Sequence, residues 1–145
     1  MRPARRPFAA LVTALAASLL LAAGGCEEDK KDAGAAAGGE VVAVPSGREV
    51  RVLDVITNAR GTEGAAARFR FVVPGLKSGD DWVDDMQALC DGYAVPRTEG
   101  MVPAPQQIII SLSASPVPFG EAAPDVVQLF ESYSFKDGSC IWEVF

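Results

Sequence analysis

The chain has 145 residues, with 13 lysines and arginines against 19 aspartates and glutamates, a formal net charge of −6, and no histidine. Without an imidazole, its own residues cannot build a Ser-His-Asp triad, a Cys-His dyad or a His-ligated zinc site. The acidic balance repels phosphate backbones, and no basic patch interleaved with aromatics offsets it, so nucleic acid is not an expected partner.

The N-terminus reads as an export signal. Arg2, Arg5 and Arg6 precede an uncharged stretch from Pro7 to Gly25. Its apolar centre, Phe8 to Ala23, is about 16 residues, short of the roughly 20 that a spanning helix needs. Basic, apolar and small-residue regions in that order predict a signal peptide over residues 1–25. Leu21-Ala22-Ala23-Gly24-Gly25-Cys26 has the layout of a lipoprotein cleavage box, in which a thiol behind small residues takes a diacylglycerol. Ala23 stands where such boxes usually carry leucine, and ordinary cleavage is the alternative. Residues 27–39, acidic at first and then rich in alanine and glycine, cannot bury a face and read as a flexible tether. A tether suits a lipid site, so the expectation is lipidation at Cys26, attachment over residues 26–40, and a single domain at 41–145. Without the leader, 120 residues remain, 10 basic against 19 acidic, and the net charge becomes −9. Anionic lipid headgroups would be repelled, and membrane attachment then falls to the lipid anchor at Cys26.

The folded part is expected to begin near Glu40, with an apolar run, Val41–Val44, ended by a Pro45-Ser46-Gly47 turn. Glu49–Ile56 reads as a strand with Val50, Val52 and Asp54 on one face, its alternation slipping near Leu53. Thr57–Ala66 reads as a turn. Arg68-Phe69-Arg70-Phe71-Val72-Val73 alternates charged with aromatic residues, the pattern of a strand with one wet face. A helix is predicted from Gly79 to Tyr93, capped by Ser78 and Asp81, with Trp82, Val83, Met86, Leu89, Cys90 and Tyr93 forming an apolar stripe. Gly92 and Pro96 would end it. Gln106–Ser113 is a β-branched run suited to a strand covered on both sides. Val126–Phe135 fits neither period cleanly and is assigned to strand, because Lys136-Asp137-Gly138-Ser139 is a hairpin turn and Cys140–Phe145 alternates after it.

Cys90 and Cys140 are too few for a four-cysteine zinc site and form no Cys-x-x-Cys motif. An oxidising compartment pairs them, closing a loop of about 50 residues worth roughly 4 kcal/mol in the chain-entropy model. The predicted fold is therefore α+β, in the order β-β-α-β-β-β: an antiparallel-rich sheet with one amphipathic helix on a face, stapled by this disulfide.

Met86-x-x-Leu89-Cys90-x-x-Tyr93-Ala94-Val95-Pro96-Arg97, Gln107–Leu112, Phe119-Gly120, Gln128-x-Phe130-Glu131 and Asp137-Gly138-x-Cys140-Ile141-Trp142-Glu143-x-Phe145 resemble a family of small exported alphaproteobacterial proteins of unknown function. The resemblance covers roughly residues 45–145, and the Cys-Ile-Trp-Glu-x-Phe ending is its most specific part. Members commonly carry an ordinary secretory leader, so lipidation at Cys26 rests on this chain's own residues. The family implies no catalytic residues. Some relatives carry an acetolactate synthase label, which this chain is too short to support and for which it shows no thiamine-diphosphate site.

Asp80, Asp81, Asp84 and Asp85 offer hard oxygens of the kind calcium takes, but not at EF-hand spacing, and acids at a helix start are favoured by its dipole alone. Ser111 and Ser113 lack a histidine or a Ser-x-x-Lys partner. Trp82 and Trp142 are most simply core residues; together with Arg97 and Phe119 they are the candidates for a ligand or partner surface. The proline-containing loops at 96–105 and 114–124 are long for so small a domain, and such loops often carry binding. No cofactor is called for. The expected function is a non-catalytic binding or assembly module, exported to the periplasm, anchored to the outer membrane and working with another envelope protein. A small carboxylate-dependent hydrolase using Asp84 and Asp85 is the alternative.

Overall fold

In a computed structural model, residues 39–61 and 64–144 are described. The leader, Cys26 and nearly all of the tether lie outside them. Among the described residues, Gly39 N donates to Val52 O, and Glu40 O accepts from Val52 N.

Six strands form one sheet in sequence order: β1 (Val41–Val42), β2 (Val50–Gly61), β3 (Gly64–Val72), β4 (Gln107–Ser113), β5 (Gln128–Lys136) and β6 (Ser139–Trp142). Among the described residues a single helix, α1, lies between β3 and β4 and spans Val83–Thr98. The order is thus β-β-β-α-β-β-β, one strand more than expected. Val41 and Val42, read as a bare apolar run, pair with Arg51 and Val50 and form a short edge. Residues 57–61, expected as turn, continue β2, and β3 begins at Gly64 rather than at Arg68. The ambiguous segment is strand. Its hairpin turns on Asp137 (φ 53°) and Gly138 (φ 82°), both left-handed as a two-residue type I′ connection requires.

Four of the five strand pairs are antiparallel, while β3 and β4 run parallel. The helix causes this: it carries the chain back along one face, so β4 restarts beside β3 in the same direction. Parallel pairs need cover on both faces, and six of the seven β4 residues are buried. Phe69, Phe71, Ile108, Ile110, Leu112 and Tyr133 face the helix and meet Trp82, Met86, Leu89 and Ala94. Tyr93 closes this layer edge-on against Phe69 and Phe71.

The helix departs from expectation at both ends. It starts at Val83 because Gly79 sits at φ 88°, which no helical residue adopts. Ser78 makes no cap; instead Asp81 Oδ1 accepts from Val83 N at 3.2 Å. It also runs through Gly92 and Pro96. Over Leu89–Ala94 the turn widens to π geometry, and the Val95 N–H reaches back five residues to Cys90 O. A proline ring collides with the carbonyl four residues before it in regular α geometry, and a widened turn just ahead of Pro96 relieves that crowding.

The staple forms as expected. Cys90 and Cys140 are disulfide-bonded with Cα atoms 6.1 Å apart. The bond docks the helix beside the edge strand β6, whose outward backbone groups are taken up by helix side chains. Asp91 Oδ1 accepts from Cys140 N at 2.7 Å, and Gln87 Nε2 donates to Cys140 O at 3.0 Å. An edge covered this way no longer offers a free pairing template at that residue.

Candidate functional site

The face of the sheet opposite the helix carries the more unusual chemistry. Alternation along β3 sends Arg68 and Arg70 to this back face while Phe69 and Phe71 enter the core, as the Arg-Phe-Arg-Phe pattern predicts. That face is not simply wet, however. The segment Val117–Glu121 lies over it and, with Arg68, Arg70, Ser111, Ser113, Gln128 and Phe130, encloses a cavity of about 180 Å³.

Arg70 is the better satisfied of the two cations. It is 7% exposed, its Nη1 donates to Asp54 Oδ2 at 3.0 Å, and its Nη2 donates to the Val117 carbonyl. Asp54 reaches it through an irregularity in β2. Val52 pairs with Phe71 on the core side, the register then shifts, and Asp54 pairs with Arg70. The slip near Leu53 was legible in the sequence, but placing Asp54 with Val50 and Val52 was an error, since a bulge residue sends the following side chains to the other face.

Arg68 is half-buried and differently placed. Its Nη1 donates to Ser111 Oγ at 3.2 Å, while its Nε is buried without a hydrogen-bond partner. Among the described residues it has no ion pair. Desolvation first, and the neighbouring Arg70 charge second, pull its pKa below the ordinary arginine value. Phe119, 54% exposed, stands over both cations, its ring centroid 6.0 Å from the Arg68 guanidinium carbon and 5.7 Å from that of Arg70. Phe130, 67% exposed, is the cross-strand neighbour of Ser111 on the same face. The result is a cationic pocket with two partly exposed aromatic rings at its mouth and the carboxylate-bearing Glu121 on its lining.

The other sequence candidates do not join it. Trp82 is core, with the Arg48 guanidinium 4.4 Å from its ring. Trp142, expected as core, is 49% exposed because β6 is the sheet edge, and its Nε1 donates to Glu131. Arg97 folds back on its own helix, stacked 3.5 Å from the Tyr93 ring and donating to Tyr93 O. Of the four candidates, only Phe119 lines the two-arginine cavity.

Three of the four acidic residues at the helix start, Asp80, Asp81 and Asp85, are spent on local hydrogen bonds. Both carboxylate oxygens of buried Asp85 accept from Ser46, one from its N–H at 2.9 Å and one from its hydroxyl, tying the Pro45–Gly47 turn to the helix. Asp80 accepts from Lys77 N, and Asp81 from Val83 N. An open concavity of about 280 Å³ is bordered by Pro45, Ser46, Asp81, Asp84 and Asp85. Asp84 and Asp85, as neighbours in sequence, point about 100° apart around the helix and cannot work as a facing pair. Among the described residues no three acidic, cysteine or histidine side chains are grouped to hold a metal ion, and no helix is long and apolar enough to cross a membrane.

Sequence reasoning pointed to the 114–124 loop but not to the arginines beneath it. The available signal was two arginines on alternate positions of an otherwise apolar strand, in a chain whose acids are mostly elsewhere.

Fold and cavity together define a small disulfide-stapled α+β protein with a helix on one face of its sheet, a loop over part of the other, and a two-arginine pocket beneath that loop. The chain belongs to a family of unknown function (DUF6497), whose model matches residues 21–145. No curated protein and no solved structure matches it, and no named relative supports the acetolactate synthase label.

Proposed function

We propose that this protein is a non-catalytic binding module of the cell envelope, exported by its leader, held at the outer membrane through lipidated Cys26, and able to take an anionic group into the Arg68–Arg70 cavity. The observation that carries the binding reading is Arg68. A half-buried guanidinium with an orphaned Nε costs stability, since an unmet buried donor is worth about 1–3 kcal/mol. Sites that break such local rules are functional or strained ones, and of the three orphaned buried atoms among the described residues, those of Asp54, Arg68 and Trp82, only that of Arg68 belongs to a residue lining the two-arginine cavity. A ligand oxyanion would supply an acceptor for the terminal N–H groups of the same guanidinium that Ser111 leaves free.

A binding role also suits the cavity's chemistry better than catalysis. Ser111 Oγ accepts from a cation, and Ser113 Oγ donates to Phe71 O, so neither hydroxyl is paired with a base. The tether and lipid would hold the module at a surface, where an unidentified envelope protein is its natural partner.

The test is titration of the mature protein with acetate while arginine side-chain NMR signals are followed. Arg68 signals should shift and saturate while those of Arg97 stay still; uniform movement of all arginines, or none, overturns the site. Intact mass of the protein purified from its host tests the anchor separately, with an unmodified Cys26 at the new N-terminus counting against it.

A further inference from the structure

The cavity's charge balance and its aromatic mouth narrow the class of ligand. We infer that its occupant is a monocarboxylate carried on an aromatic or compact apolar group, the carboxylate meeting Arg68 and Ser111 and the apolar body lying against Phe119 and Phe130. This inference rests on the binding reading above and specifies its ligand.

Charge is the first argument. Arg70 is already matched by Asp54 at 3.0 Å, which leaves Arg68 as the one cation of the pocket without an acidic partner among the described residues. A single half-buried guanidinium without an ion pair takes one negative charge more readily than two, since a dianion would bring a second charge into the site without a counterion. Glu121 on the lining adds to that penalty.

Geometry is the second. Nη1, held by Ser111, and Nη2, which makes no hydrogen bond among the described residues, form the end of the planar fork that a ligand can reach, since Nε is shut off from solvent, and a guanidinium meets a carboxylate through two parallel N–H groups. The Ser111 hydroxyl accepts from Arg68 and keeps its own proton to donate to the second carboxylate oxygen.

Surface is the third. Phe119 and Phe130 are more than half exposed and sit on the same face, one over the guanidiniums and one beside Ser111. A bare inorganic ion would leave both rings in water, whereas an attached ring would cover them. The cavity, about 180 Å³, is the volume of about six waters, room for a single small ring and its carboxylate.

Calorimetric titration of the mature protein with acetate, inorganic phosphate and phenylacetate, at one ionic strength, tests this. Phenylacetate should bind at least tenfold tighter than either other anion. Phe119→Ala should bring phenylacetate down to the level of acetate. Arg68→Met should abolish binding of all three, and Arg68→Lys, which keeps the charge but loses the fork, should weaken phenylacetate at least fivefold. Phosphate binding as tightly as phenylacetate, or phenylacetate no better than acetate, refutes the ligand class while leaving the site in place. If none of the anions binds in a way that Arg68→Met removes, the binding reading itself falls. Peptides ending in phenylalanine, with a free or an amidated C-terminus, separate the two sources of this chemistry. Tighter binding of the free-acid peptide than of phenylacetate identifies a polypeptide terminus, and the reverse identifies a small free acid; binding of the amidated peptide equal to that of the free-acid one refutes carboxylate recognition.

Discussion

Removing the Cys90–Cys140 disulfide, as Cys90→Ser with Cys140→Ser, should cost this domain about 4 kcal/mol. The bond joins positions 50 residues apart, and the loop-closure relation for a loop of that length gives about 14 cal/mol/K, or about 4 kcal/mol at 25 °C. The native side adds little to this, because the bonds of Asp91 and Gln87 go to the backbone of residue 140 and persist in the folded variant. Against a typical total of about 5–15 kcal/mol, the variant sits near the margin of folding. Urea unfolding of the protein is the assay. With a slope of about 2 kcal/mol/M, the midpoint should fall by about 2 M, and the wild type under reductant should fall to the same place. A drop below about 0.5 M in both would refute the reasoning, since it would mean that the unfolded chain gains little freedom when the bond is cut.

Arg68→Met should stabilise the protein by about 1 kcal/mol, because relief of the orphaned Nε outweighs the lost bond to Ser111; a loss of more than about 1 kcal/mol in urea would show that Arg68 is structural. Asp85→Ala should destabilise by about 2–3 kcal/mol through the two bonds to Ser46, and Asp85→Asn by less, since one acceptor survives; equal losses in urea would rule out hydrogen bonding as the cause. Burial, with the charges of Glu131 and Asp91 adding to it, pushes the Tyr133 phenol well above its ordinary range. The unfolded chain therefore loses this proton first, so stability should hold below about pH 10 and decline above it. Tyrosinate absorbance should show one of the two tyrosines ionising only as the far-ultraviolet circular dichroism is lost; ionisation of both with the fold intact would contradict the burial argument.

Parts of the molecule were open to pattern reading because they depend on local periodicity. The β-branched run of β4, the Asp137-Gly138 turn and the slip near Leu53 follow from spacing alone, as does the stripe from Trp82 to Tyr93 except at Val83, which is exposed because it falls in the first turn beyond the sheet's cover. The Arg-Phe-Arg-Phe alternation likewise separated the two faces of β3. It did not say that Val117–Glu121 would lie over the outer one, because a loop's path depends on contacts with strands distant in sequence. The same limit hid the edge strand at Val41–Val42, which exists only through its pairing with Val50 and Arg51.

The sequence by itself determined the absence of histidine chemistry, the two-faced character of the strands and the pairing of Cys90 with Cys140, since composition and side-chain period survive without knowledge of the fold. Only tertiary structure decided that β3 and β4 run parallel, that the helix continues past Pro96, and that Asp54 answers Arg70 while Arg68 is left without an acid. The difference is physical: period 2 and period 3.6 belong to the chain, whereas the balance of charge in a cavity is set by which distant residues the bulge, the crossover helix and the covering loop bring to it.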